Sequence, residues 1–211
     1  MVAETVLMSV VQTNPDDNRG VEKRPGRPRS DKSRESILDA TRKMLMHTPL
    51  RDISIEAIAK RAGVGKTTIY RWWPHKAGLV MEAFLAQPGL QNILPTTPSA
   101  DEALKVQLEK LIRQLRGQNG RIVANIIAEA QAEPEALRLL NENFLDERVG
   151  NLRRHLQEGK SEGLFSQHLD TEMAIDQLLG PVFYRLMTNP DALDERFNGH
   201  YPEQVVNTLR V

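Results

Sequence analysis

The sequence predicts an all-α fold: a small N-terminal three-helix unit of the helix-turn-helix type, followed by a larger C-terminal helical bundle. Three observations predict it. Apolar residues recur at helical spacing through most of the chain beyond residue 33. No stretch keeps the period of two that a half-buried strand needs. Glycine and proline fall between the helical stretches, with no repeat period. A chain of 211 residues can bury a core in both units.

Residues 12–32 (QTNPDDNRGVEKRPGRPRSDK) hold three prolines, two glycines and ten charged residues without an apolar period. Such a composition cannot bury enough surface to fold alone. Residues 1–32 are therefore expected to form a disordered basic arm. Its first eleven residues, interrupted by Glu4 and with no basic residue in front, are too short to span a membrane.

From Ser33 the pattern changes. Ile37, Leu38, Thr41, Met44 and Leu45 share one helical face, with Asp31 or Ser33 as N-cap, and the helix is expected to end near His47. Ser54 is the N-cap candidate for a short second helix whose Ile55, Ile58, Ala59 and Ala62 form the buried stripe. Gly63-Val64-Gly65 makes a tight turn, and a third helix over 66–73 must stop before Pro74. A fourth helix over 75–87 turns Leu79, Val80, Ala83 and Phe84 inward. Residues 88–98, with three prolines, mark the boundary between a DNA-binding domain at 33–87 and a helical domain at 99–211. Beyond them, helices are expected over about 99–116, 121–133, 134–159, 171–188 and 203–209.

Net charge is zero, with 28 basic and 28 acidic residues, yet residues 19–76 carry 15 basic against 6 acidic side chains. A basic segment attached to an acidic remainder suits a polyanion-binding module joined to a body with another task, which makes nucleic acid the leading partner. The chain has no cysteine, so disulfides and thiolate metal or redox sites are excluded and a cytoplasmic setting is expected. His47, His75, His155, His168 and His200 include no pair at i, i+4 and none three residues after a glutamate. Neither a metal site nor a cofactor is expected. Val64-Gly65-Lys66-Thr67-Thr68 invites a phosphate-loop reading, but the first glycine of that pattern would fall at Lys60, and a helix rather than a strand precedes it. No catalytic residue is assigned, and no apolar run reaches transmembrane length.

The segment IEAIAKRAGVGKTTIYRWW, residues 55–73, is an amphipathic helix, a three-residue turn and a second short helix. It has the small residue such a crossing needs (Ala59), an apolar turn residue (Val64) and an inward apolar residue in the second helix (Ile69). With Ile69 and Trp73 inward, helical geometry sends Thr67, Thr68, Arg71 and Trp72 outward, toward a major groove. Arg71 is the candidate for a base contact, and Lys66 for a phosphate contact at a helix start. Ser54 is counted with the DNA-contacting set. Arg24, Arg27 and Arg29 belong either to a solvated tail or to an extended arm in the minor groove, the reading favoured here.

Through AIAKRAGVGKTTIYRWWPHKAGLV, placed after one helix, the chain resembles the tetracycline-repressor-like (TetR) family over about residues 33–86. The Ala-Gly-Val turn, the Tyr70-x-x-Trp73-Pro74-x-Lys76 run and Leu79 carry the match. The resemblance implies that Tyr70 and Lys76 bind phosphates, that Thr67 and Thr68 lie against the groove, and that Trp73 fills a buried position usually held by Phe. Trp72 departs from the commoner His. The run AIDQLLGPVFYRLMTN, residues 174–189, is similar to the dimerisation helix of one branch of the family.

These readings imply a repressor that binds double-stranded operator DNA as a homodimer and is released by a small-molecule effector; the effector cavity rests on the resemblance alone. Rival readings are a ligand-independent regulator and a bundle enzyme with an incidental helix-turn-helix. Leu108, Leu111, Ile112, Phe144 and Leu152 suit either core or cavity. The interface is assigned to Leu178, Pro181, Val182 and Arg185 of the penultimate helix with Val205, Val206 and Leu209 of the last, in a four-helix bundle about a two-fold axis.

Overall fold

A computed structural model describes residues 31–87, 90, 96–131 and 134–210. The expected arm, with Arg24, Arg27 and Arg29, and most of the predicted boundary segment lie outside the described residues.

Helix α1 (Asp31–Leu45) buries Ile37, Leu38, Ala40, Thr41 and Leu45. Thr41 sits in this apolar face because its Oγ1 donates back to the Ile37 carbonyl at 2.8 Å, leaving no unsatisfied hydroxyl. A 3-10 turn (Leu50–Asp52) sets Leu50 and Ile53 into the core before α2 (Ile55–Ala62). Ser54 caps α2 by accepting from the Ala57 amide at 3.1 Å. Gly63, at φ 68°, closes the helix in the left-handed conformation that a side chain disfavours. Helix α3 (Lys66–Tyr70) is three residues shorter than predicted, because Trp73 precedes Pro74 and a pre-proline residue leaves the helical region. Helix α4 (Lys76–Leu85) buries Leu79, Val80, Met81, Ala83 and Phe84. It is apolar on more than one side because it packs on α1 and also on α7 of the body.

The body comprises α5 (Ala100–Gln114), α6 (Gly117–Ala130), α7 (Pro134–Leu140), α8 (Asp146–Ser161), α9 (Thr171–Thr188) and α10 (Glu195–Asn207). A π turn, Asn141–Leu145, joins α7 to α8, so the predicted helix over 134–159 exists with a widened turn inside it. Helix α6 starts at Gly117 rather than near residue 121 and contains Gly120, where a Cβ would sit 1.9 Å from the Leu115 carbonyl oxygen. Only a glycine permits that approach.

Helix α10 starts at Glu195, eight residues before the predicted start at Glu203. Asp194 caps it by accepting from the Phe197 amide at 2.8 Å, and Pro202 lies buried within it. Pro181 is likewise inside α9. A proline cannot donate to the carbonyl four residues back, and here the Tyr201 hydroxyl of α10 reaches both the Gln177 carbonyl (2.9 Å) and the Leu178 carbonyl (3.0 Å).

Two apolar clusters fill the molecule. The larger runs without a break from Ile37, Ile58 and Ile69 through Phe84 to Ile112, Ile126 and Phe144. The smaller joins Leu104, Leu152, Phe165, Leu178 and Val206 at the distal end. The N-terminal unit thus shares its core with the body through α4.

Candidate nucleic-acid interface

The crossing of α2 and α3 is built on Ala59, Ile69 and Trp73, all buried. Trp73 is held by more than packing. Its indole Nε1 donates to Glu82 Oε2 of α4 at 2.7 Å, the other Glu82 oxygen pairs with Arg34 of α1, and the Arg34 guanidinium lies over the Trp72 and Trp73 rings at 5.6 and 5.9 Å. One carboxylate therefore ties together α1, the end of the reading segment and α4. Neither Arg34 nor Glu82 was singled out from sequence; the signal available was a charged pair on otherwise apolar helix faces flanking a double tryptophan.

Outside this braced core, Thr67, Tyr70 and Arg71 are exposed along the outer edge of α3 and its C-cap. Lys60, Arg61 and Lys66 are also exposed, against the single acid Glu56 in the two helices. A short helix with exposed hydroxyl, phenol and guanidinium groups on a rigid support has the donors that groove and phosphate contacts require. Lys66 Nζ lies 2.9 Å from Glu56 Oε1, and this hydrogen bond holds the Glu56 carboxyl below its ordinary range while raising the Lys66 ammonium. Both groups are solvent-exposed, so the pair is readily exchanged for a phosphate.

Four placements bear on the expected contact set. Thr68 is half-buried rather than fully outward. Trp72 is half-buried against the N-terminal core, beside Trp73 and beneath Arg34, because α3 has ended and the chain turns before Pro74. Ser54 Oγ is committed to capping α2. Lys76, at the start of α4, donates to the Leu50 carbonyl at 3.4 Å and lies 3.7 Å from Glu129 Oε2 of α6.

The residues assigned to an interface divide. Leu178, Val182, Val205, Val206 and Leu209 are buried within the protomer's own clusters, a correction to their placement on an outer face. Helix α9 is apolar on two sides, and its 174, 178, 182 row turns inward against the body. Pro181 remains exposed. Arg185 is half-buried, donating to the Ala192 carbonyl at 2.9 Å and lying over the Phe197 ring at 4.1 Å. The outward row of α9 is instead Met173, Gln177, Gly180, Tyr184 and Met187, with Met173 and Tyr184 more than 60% exposed. Its i, i+4, i+7, i+11, i+14 spacing was readable in the sequence.

Among the described residues no group of three or more His, Asp or Glu side chains is placed to hold a metal ion, and no helix is long and apolar enough to cross a membrane.

Comparison with known proteins agrees with this geometry. Residues 37–83 match the family described as bacterial regulatory proteins, tetR family, and residues 94–205 match the tetracyclin repressor-like C-terminal domain. An uncharacterized HTH-type transcriptional regulator of Bacillus subtilis, YdeS, is 29% identical over 172 residues, covering 82% of this chain and 87% of the relative. The crystal structure of a TetR family transcription regulator, SCO0332, superposes with a TM-score of 0.64 at 26% identity, over 84% of this chain and 97% of the other. The transcriptional regulator FadR of Bacillus subtilis, solved in complex with stearoyl-CoA, shares the fold with a TM-score of 0.66 at 21% identity, over 82% and 97%. With both halves matched and the helix-turn-helix built as described, the chain belongs to the TetR family of DNA-binding transcriptional regulators.

Proposed function

We propose that the chain is a cytoplasmic repressor that binds operator DNA as a homodimer and leaves it when a small molecule enters the body. The carrying observation is the position of α4: it supports the reading helix through Glu82 and Trp73, and its other side is part of the body's core against α7. A shift of the body cannot leave α4 untouched, so it changes the setting of α3. In a dimer, two reading helices must stand about 34 Å apart to enter successive major grooves, and a change in their separation weakens binding. The exposed α9 row with Met173, Tyr184 and Met187 supports pairing with a second copy, because a monomer gains nothing by exposing such side chains together.

In this reading residues 33–87 contact DNA and residues 99–211 dimerise and receive the effector. Arg71 reads a base, Thr67 and Thr68 face the groove, Tyr70, Lys66 and Lys76 meet phosphates, and Arg24, Arg27 and Arg29 reach the minor groove. An effector cavity is supported by the shared fold of the FadR structure solved with stearoyl-CoA. In vitro transcription from a promoter overlapping a selected operator should fall as the protein is added. Unchanged or stimulated transcription at operator-saturating concentration contradicts repression.

A further inference from the structure

Arg148 on α8 is 5% exposed, and among the described residues no carboxylate lies within ion-pair distance of it. Its hydrogen bonds all end on neutral acceptors: Nη1 donates to the Phe144 carbonyl at 2.6 Å, and Nη2 to the Leu90 carbonyl at 3.1 Å and to Gln114 Oε1 at 3.3 Å. Its neighbour Glu147 is exposed to solvent. A buried guanidinium with no carboxylate in contact is costly: burial pushes its pKa down, and the exposed Glu147 charge offsets that only in part.

Facing it, α5 presents Gln107, Lys110 and Gln114, which share one face by their i, i+3, i+7 spacing. Gln107 Nε2 is used on the Arg148 carbonyl at 3.0 Å, while its Oε1 is buried with no hydrogen-bond partner among the described residues. The Lys110 ammonium is pushed down by desolvation and then by the Arg148 charge, so two cations stand close together. These four side chains and Leu108, Leu111, Leu152 and Leu179 line a closed cleft of about 10 Å³, room for no more than about one water.

We propose that this cavity is the anion-binding end of an effector site, taking a carboxylate attached to an apolar body. The carboxylate accepts from Arg148 and Lys110, giving the buried guanidinium a charged acceptor in place of neutral ones. The leucines of α5, α8 and α9 take the apolar body. Gln107 Oε1 receives a donor from the ligand or from a water bound beside it. The apolar body needs more room than the closed cavity offers, so binding separates α5 from α8 and Leu179 of α9. The proposal rests on the ligand-responsive reading only for its regulatory consequence, and binding alone tests the site.

The full chain is titrated, by calorimetry and thermal shift, with straight-chain carboxylates from butanoate to dodecanoate, the matching alcohols, and sodium chloride. At least one carboxylate should raise the melting temperature and bind about tenfold or more tightly than its alcohol. Arg148→Met should abolish that preference, and Lys110→Gln, on the half-exposed wall, should weaken it severalfold with the fold intact. If Arg148→Met does not fold, Lys110→Gln decides. The site is overturned if no carboxylate binds, if alcohols or chloride do as well, or if the folded variants bind unchanged. Operator binding measured alongside separates the two readings. Carboxylate binding without operator release leaves the site standing and removes its regulatory role, whereas release by the alcohols alone keeps ligand response and removes the site.

Discussion

Lys76 Nζ lies 3.7 Å from Glu129 Oε2, joining the first turn of α4 to the last turn of α6. The proposed phosphate contact of the N-terminal unit is therefore also an ionic contact with the body. A phosphate and Glu129 compete for one ammonium, and the pair is about one-third exposed, a setting in which such pairs contribute about 0.2 to 1 kcal/mol. Glu129→Gln should tighten operator binding by up to about fivefold and steepen the salt dependence by at most about one unit. Neither effect should appear in a Lys76→Ala background. Anisotropy titrations at several salt concentrations give both quantities; an equal gain in both backgrounds would remove the competition from the account.

Arg71 stands at the exposed C-cap of α3. Arg71→Ala should relax preference at one base position of each half-site, worth about 1 to 3 kcal/mol of discrimination. Tyr70→Phe should weaken all sequences alike. Binding-site selection with both variants distinguishes them, and an unchanged preferred sequence for Arg71→Ala rules out the base contact.

Tyr201 closes the gap that Pro181 opens in the α9 ladder. Burial raises the phenol's pKa well above its ordinary value, so it stays protonated and able to donate at any working pH. Tyr201→Phe removes that donor from the Gln177 and Leu178 carbonyls and should cost about 0.5 to 1.5 kcal/mol in urea unfolding. A second substitution, Pro181→Ala, should recover part of that cost by restoring the backbone donor.

Asp101, in the first turn of α5, is 6% exposed, accepts from the Ser99 hydroxyl and pairs with Arg210. These partners outweigh desolvation and hold its pKa at about 2 against an ordinary 3.8. A carboxylate with a lowered folded pKa stabilises above its unfolded value, and that stability is lost as pH falls through the folded one. Arg210 is 43% exposed, so screening limits the effect to about 1 kcal/mol. Asp101→Asn should therefore destabilise by about that amount at pH 7, with the gap to wild type closing progressively between about pH 5 and pH 1. Denaturation series across that range measure it; a gap as large at about pH 1 as at pH 7 contradicts the assignment.

The helix-turn-helix was legible because its requirements are local. Ala59, Ile69 and Trp73 are buried where a 3.6-residue period puts them, and Ser54 caps where its position before Ile55 says it should. Helix α10 was read eight residues short because Gly199 and Pro202 look like breakers; tertiary packing overrides both, and the Asp194 cap was the stronger signal. The inner and outer faces of α9 were confused because both are apolar. Which one meets the protomer is decided by α8 and α10, distant in sequence. Arg148 was illegible for the same reason: its partners Leu90 and Gln114 lie 58 and 34 residues away.

Reading of a symmetric operator by a pair of these chains through α3 is put to the test by sedimentation of the protein with a duplex obtained by binding-site selection. The proteins are wild type and Tyr184→Asp, a change on the outward row of α9 that leaves the buried Val182 untouched. The selected site should be an inverted repeat bound by two wild-type chains or a multiple of two. Tyr184→Asp should be a folded monomer with operator affinity reduced by at least about tenfold. An asymmetric site bound by one wild-type chain, or a Tyr184→Asp protein that dimerises and binds as tightly as wild type, would contradict reading by a pair.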